Sequence, residues 1–126
     1  MTSGKRVYGM NNSMKWIQLT SAKQLEEIKN ESDEHHVLIF KHSTRCSTSR
    51  MSLDRLERNW SSAKPHTIKT YFLDLISYRS ISNLIAEVFG VEHESPQVLL
   101  IYKGRAVLDL SHFQIDYQEI EKAVRN

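Results

Sequence analysis

A single cysteine, Cys46, stands in a chain of 126 residues that also has only two prolines and four glycines. One cysteine excludes an intrachain disulfide and any zinc centre built on several thiolates. It also fits a reducing compartment, so the cytoplasm is the expected location. The few glycines leave no Gly-rich loop to cradle phosphate. Charge of one sign is just as scarce, with 17 Lys and Arg against 15 Asp and Glu and a formal net charge of +2. No strong field favours nucleic acid or an anionic membrane surface. The longest apolar run is Val98-Leu99-Leu100-Ile101-Tyr102, far short of the ~20 residues that a membrane span needs. Lys5 and Arg6 are followed by no apolar stretch, so no signal peptide is expected. With 40% hydrophobic residues, the composition is that of one soluble globular domain.

Residues 1–14 are polar, hold two of the four glycines and show no sustained periodicity. They read as a flexible N-terminal extension, with at most a weak strand at Val7-Tyr8, and the folded domain is expected over 15–126. Trp16 to Leu19 can form a short strand. Thr20 or Ser21 then caps a helix, with Gln24 placed for a capping box and Ala22, Leu25 and Ile28 on its apolar face. Val37-Leu38-Ile39-Phe40 is a continuous apolar run, the mark of a strand buried on both faces, and Lys41 and His42 carry it to its end. A polar turn from Ser43 to Ser49 follows. Met51, Leu53, Leu56 and Trp60 then predict an amphipathic helix with Asp54, Arg55, Glu57 and Arg58 outside, ending at Lys64-Pro65-His66.

Ile68 to Leu75 reads as the next strand. A helix over Ser80 to Phe89 turns Ile81, Leu84, Ile85, Val88 and Phe89 inward, and Gly90 is placed for a left-handed cap. Gln97 to Tyr102 and Arg105 to Leu110, separated by Lys103-Gly104, predict a β-hairpin. A last helix covers Tyr117 to Val124. The order β-α-β-α-β-α-β-β-α implies an α/β domain. Its central sheet is mixed, with right-handed parallel crossovers, an antiparallel edge and helices on both faces. A thioredoxin-like domain has this arrangement, and other small α/β folds fit the periodicity nearly as well.

Cys46 is the first candidate for chemistry. A lone cysteine is often a small buried apolar residue. Here, however, it lies in a run of Ser and Thr between a strand end and a helix start, flanked by Arg45 and Ser47. Free N–H groups at a helix N-terminus and the positive end of the dipole favour a thiolate, and Arg45 and Arg50 add to that. In a C-x-x-C redox motif the fourth position holds a second sulfur. Ser49 occupies it here, and its hydroxyl can hydrogen-bond a thiolate but cannot form a disulfide. Arg55 and Arg58 read as a solvated helix face, with Asp54 and Arg58 as an i,i+4 pair. The six histidines are scattered and predict no metal site. Ser95-Pro96 falls directly before the strand expected beside the cysteine loop.

The segments Phe40-Lys41-His42-Ser43-Thr44-Arg45-Cys46-Ser47-Thr48-Ser49, Tyr71-Phe72-Leu73-Asp74-Leu75 and Phe89-Gly90-Val91-Glu92-His93-Glu94-Ser95-Pro96-Gln97-Val98 resemble the monothiol bacilliredoxins, the YtxJ family of the bacillithiol system. The resemblance covers about residues 15 to 126, and Met14 matches the usual start. It implies a thioredoxin-like fold and one active cysteine, Cys46, that removes bacillithiol from protein mixed disulfides. It also implies a cis-Pro loop at Ser95-Pro96 that presents backbone to substrate. Thr44, Arg45 and Ser49 join Ser95 and Pro96 as expected substrate-binding residues. The usual active segment reads Thr-Cys-Pro-Ile-Ser. This chain has Arg45 before the cysteine and Ser47 in place of the proline. The expected partners are bacillithiol and S-bacillithiolated proteins, with no resident cofactor or metal, no nucleic acid, no membrane and a monomeric state. Two rival readings are a non-catalytic thioredoxin-like interaction module whose Cys46 is itself thiolated, and an iron–sulfur-bridging protein of the monothiol glutaredoxin type.

Overall fold

A run of four apolar residues with no polar break must be covered on both sides, and Val37, Leu38, Ile39 and Phe40 are each 0% exposed. They form the centre of β2 (His36–His42) in a computed structural model that describes residues 14–61 and 68–125. The other elements are β1 (Ile17–Gln18), α1 (Lys23–Glu31), α2 (Ser47–Ser61), β3 (Ile68–Asp74), α3 (Arg79–Phe89), β4 (Gln97–Tyr102), β5 (Arg105–Ser111) and α4 (Tyr117–Arg125). A single 3₁₀ turn, His112–Gln114, precedes α4 and has no counterpart in the sequence-based expectation.

The sheet order is β1-β3-β2-β4-β5. β1 and β2 run parallel to β3, whereas β4 runs antiparallel to both β2 and β5. This is the mixed sheet expected from the order of elements. Alternation along β2 sends Leu38 and Phe40 into one core layer, where Leu53 and Leu56 of α2 and Tyr117 and Ile120 of α4 cover them. Val37 and Ile39 enter the opposite layer, under Leu25 and Ile28 of α1 and Ile81 and Ile85 of α3. Helices therefore flank both faces. Lys103 and Gly104 join β4 to β5 with φ of 55° and 75°, the left-handed pair that a two-residue hairpin turn requires. Gly90 takes φ 67° after α3, where its N–H bonds Ala86 O and closes the helix.

Several expectations need correction. Met14, assigned to the extension, is 1% exposed in the core layer under α2 and α4. Residues 1–13, with the Val7-Tyr8 strand, and the Lys64-Pro65-His66 helix end lie outside the described residues. Ala22 is exposed and caps α1 without a side-chain bond. Only the Gln24 half of the capping box forms, its Oε1 accepting from the Ser21 N–H at 3.1 Å.

Met51 is 62% exposed and Glu57 only 1% exposed, the reverse of the expected phase. The buried stripe of α2 is instead Ser49, Ser52, Leu53, Leu56 and Glu57. Each of its polar members reaches a partner off the helix: Ser52 Oγ donates to His112 O at 3.2 Å, and Trp16 Nε1 donates to Glu57 Oε2 at 2.7 Å. Val88 is 40% exposed, and Ser82 takes an inward place on α3. No helix among the described residues is long and apolar enough to cross a membrane.

Candidate active site

β2 ends at His42, and a tight turn follows in which Cys46 N–H donates to Ser43 O at 3.2 Å. Cys46 sits immediately before α2. Its carbonyl accepts from Arg50 N–H at 3.2 Å, the first bond of the helix ladder. The thiol thus occupies the N-terminal end of the helix, where backbone N–H groups lack partners within the helix and the dipole is positive. Cys46 is half-buried, not sealed in the core. Thr44 and Arg45, beside it, are exposed.

Ser49 departs from expectation. It is 0% exposed, and its hydroxyl lies 2.7 Å from His42 Nδ1 while accepting from Ser43 N–H at 3.1 Å. Helix geometry carries the fourth position of the motif back over β2, so Ser49 braces the cysteine turn from inside and is not exposed at the surface. The imidazole tautomer sets whether the Ser49 hydroxyl donates to His42 Nδ1 or accepts from it. His42 is 1% exposed and packs at ring-centroid distances of 6.2 Å from Phe40 and 5.4 Å from Phe72. Burial is the main force that lowers its pKa to about 4; Asp74 opposes it, and Arg50 adds to it. The imidazole is therefore neutral at ordinary pH. Sequence patterning placed His42 at a strand end and gave no sign of this role.

The peptide bond Ser95–Pro96 is cis. Lys41 faces Gln97 across the antiparallel β2–β4 pair, so the Cys46 turn and the Ser95–Pro96 loop leave adjacent strands at the same end of the sheet. Pro96 O accepts from His112 N–H at 3.0 Å. His112 carries an uncommon positive φ of 55°, and its carbonyl accepts from Ser52. One residue thereby joins the cis-Pro loop to α2. Ser95 Oγ is buried without a hydrogen-bond partner. Arg55, expected on a solvated face, instead donates to Phe113 O at 3.2 Å and also to Ile115 O, tying the 112–115 segment to α2. Arg58 does pair with Asp54 as expected. Among the described residues, no group of three or more His, Cys, Asp or Glu is placed to hold a metal.

A sheet of this order, with a cysteine at the head of the helix after its central strand and a cis-Pro opening the antiparallel neighbour, defines a thioredoxin-like protein. Solved structures agree. A thioredoxin-fold protein described as a candidate oxidoreductase is 28% identical, with a TM-score of 0.72, covering 85% of this chain and 91% of its own. The thioredoxin of Trypanosoma brucei brucei matches at 11% identity and a TM-score of 0.67, over 92% of this chain and 93% of its own. A variant of the Halobacterium salinarum thioredoxin does so at 15% and 0.62, over 86% and 87%. At such identities the two thioredoxins speak for the fold alone. Within this class, residues 17–120 match the monothiol bacilliredoxin BrxC family, and the chain belongs to it. Fold and family together give the protein a redox role.

Proposed function

We propose that the protein is a monothiol thiol–disulfide oxidoreductase that removes bacillithiol from protein mixed disulfides through Cys46. The observation that carries the reading is a half-buried thiol, the sole cysteine of the chain, at the N-terminal end of α2 beside a cis-Pro loop. The Cys46 thiolate attacks the bacillithiol sulfur of the mixed disulfide. The new S–S bond joins Cys46 to bacillithiol, and the client leaves as its thiolate. A second thiolate, from bacillithiol or a protein, then attacks that bond. It is oxidised to a disulfide with the departing bacillithiol, and Cys46 returns reduced. Exchange needs no metal or nucleotide.

In this reading, the Ser95 backbone receives the extended segment of the client beside Pro96, and Thr44 and Arg45 border the thiol. Ser49 supports the turn and supplies no second sulfur, so every cycle passes through a mixed disulfide. The partners are bacillithiol and S-bacillithiolated proteins, handled by a monomer in the cytoplasm. The test is turnover. A bacillithiolated client protein with excess bacillithiol should be reduced many times per enzyme molecule, and Cys46→Ser should abolish this. A Cys46 that gains bacillithiol but does not pass it on would make the protein a client.

A further inference from the structure

Behind the cis-Pro loop lies a cluster that the exchange steps do not use. Lys41 of β2 is 0% exposed. Its ammonium reaches two acceptors, both distant: Ser82 O of α3 at 3.5 Å and His93 Nδ1 at 3.4 Å. Ser82 Oγ lies 3.1 Å from the same ring nitrogen. Among the described residues, no carboxylate pairs with Lys41. A buried ammonium so poorly compensated costs stability that an apolar side chain of similar length would not. Its worth must lie in what it holds.

What it holds is His93, two residues before Ser95. The Lys41 ammonium can only donate, so Nδ1 is the accepting nitrogen in this contact. Burial first, then the Lys41 and Arg79 charges, push the His93 pKa down against a weaker pull from Glu94. Gln97, the register partner of Lys41, holds the same loop by its main chain. Its Oε1 accepts from Glu94 N–H at 3.4 Å, and its Nε2 donates to Glu92 O at 3.0 Å. The strand that supplies Lys41 is also the strand that runs into the cysteine turn.

We propose that Lys41 is a positioning residue which, through His93, fixes the Ser95–Pro96 loop relative to the Cys46 turn carried by its own strand. The proposal rests on the exchange reading above. It is tested by steady-state reduction of a peptide carrying a bacillithiol mixed disulfide, with free bacillithiol as the second thiol. Iodoacetamide alkylation of Cys46 and thermal melting serve as controls.

Lys41→Met should raise KM ~10-fold with kcat little changed, the split expected when about one hydrogen bond to the client is lost and the reacting geometry is kept. Alkylation of Cys46 should keep its rate, because the small reagent needs no loop, and the melting temperature should not fall. His93→Leu should behave alike, whereas His93→Asn, which keeps an acceptor near the place of Nδ1, should restore most of the loss. This pair carries the test should Lys41→Met not fold. Wild-type exchange in folded Lys41→Met, or equal losses in His93→Leu and His93→Asn, would overturn the positioning role alone. A wild-type protein that transfers no bacillithiol would overturn the exchange reading and this role together.

Discussion

Acid should strike this fold through His42. In the folded protein its pKa is lowered to about 4 from 6.5, chiefly by burial between Phe40, Phe72 and the Ser49 hydroxyl. Between those two values the unfolded chain binds a proton that the folded chain refuses. Stability is therefore fully present above pH 6.5 and falls as pH drops toward 4. Lowering the pH from 7 to 4.5 should cost about 2 kcal/mol through this one group. The assay is urea unfolding at both pH values for the wild-type protein and for His42→Phe, which keeps an aromatic ring in the stack but cannot titrate. Carboxylates and the other histidines contribute to both proteins, so the difference between the two pH-dependent losses isolates His42. His42→Phe should be less stable at pH 7, because the buried Ser49 hydroxyl loses its ring partner, yet less sensitive to acid. Equal acid sensitivity in the two proteins would refute the buried, neutral imidazole beneath the cysteine turn.

Three further perturbations follow from the same structure. Lys41, with its pKa lowered to about 8 from 10.5, has the same linkage sign in a higher window. Stability should rise by about 2 kcal/mol from pH 7.5 to 9.5, and Lys41→Met should lack that rise in urea titrations. Arg55→Ala removes two charge-assisted bonds to the 113–115 backbone and should cost about 1–2 kcal/mol, measured by urea unfolding. Gly90→Ala meets no neighbour within 4 Å, so only the φ of +67° resists it, and thermal melting should report a loss of about 1 kcal/mol.

The parts of the fold legible in the sequence were those written in unbroken patterns. Val37 to Phe40 read as a strand covered on both faces, Lys103-Gly104 as a tight turn and Gly90 as a helix end, and each forms. The cysteine's place between strand and helix, and the proline opening the neighbouring strand, were legible for the same reason: both depend on chain order. What stayed hidden was the polar lining beneath them. Apolar periodicity set the phase of α2 by Met51, but its true inner face carries Ser49, Ser52 and Glu57, each hydrogen-bonded to a residue outside the helix. The contacts of Lys41, His42, Ser82 and His93 were hidden likewise. A buried polar side chain is identified by its acceptor or donor, and those partners meet only after the strands pair.

The measurement closest to the central claim is intact-mass spectrometry of the protein mixed with a stoichiometric bacillithiolated peptide and stopped at short times. The bacillithiol mass should leave the peptide and appear on Cys46, faster than free bacillithiol releases it, with no transfer to Cys46→Ser. A peptide that keeps its bacillithiol while Cys46 stays unmodified would contradict that claim.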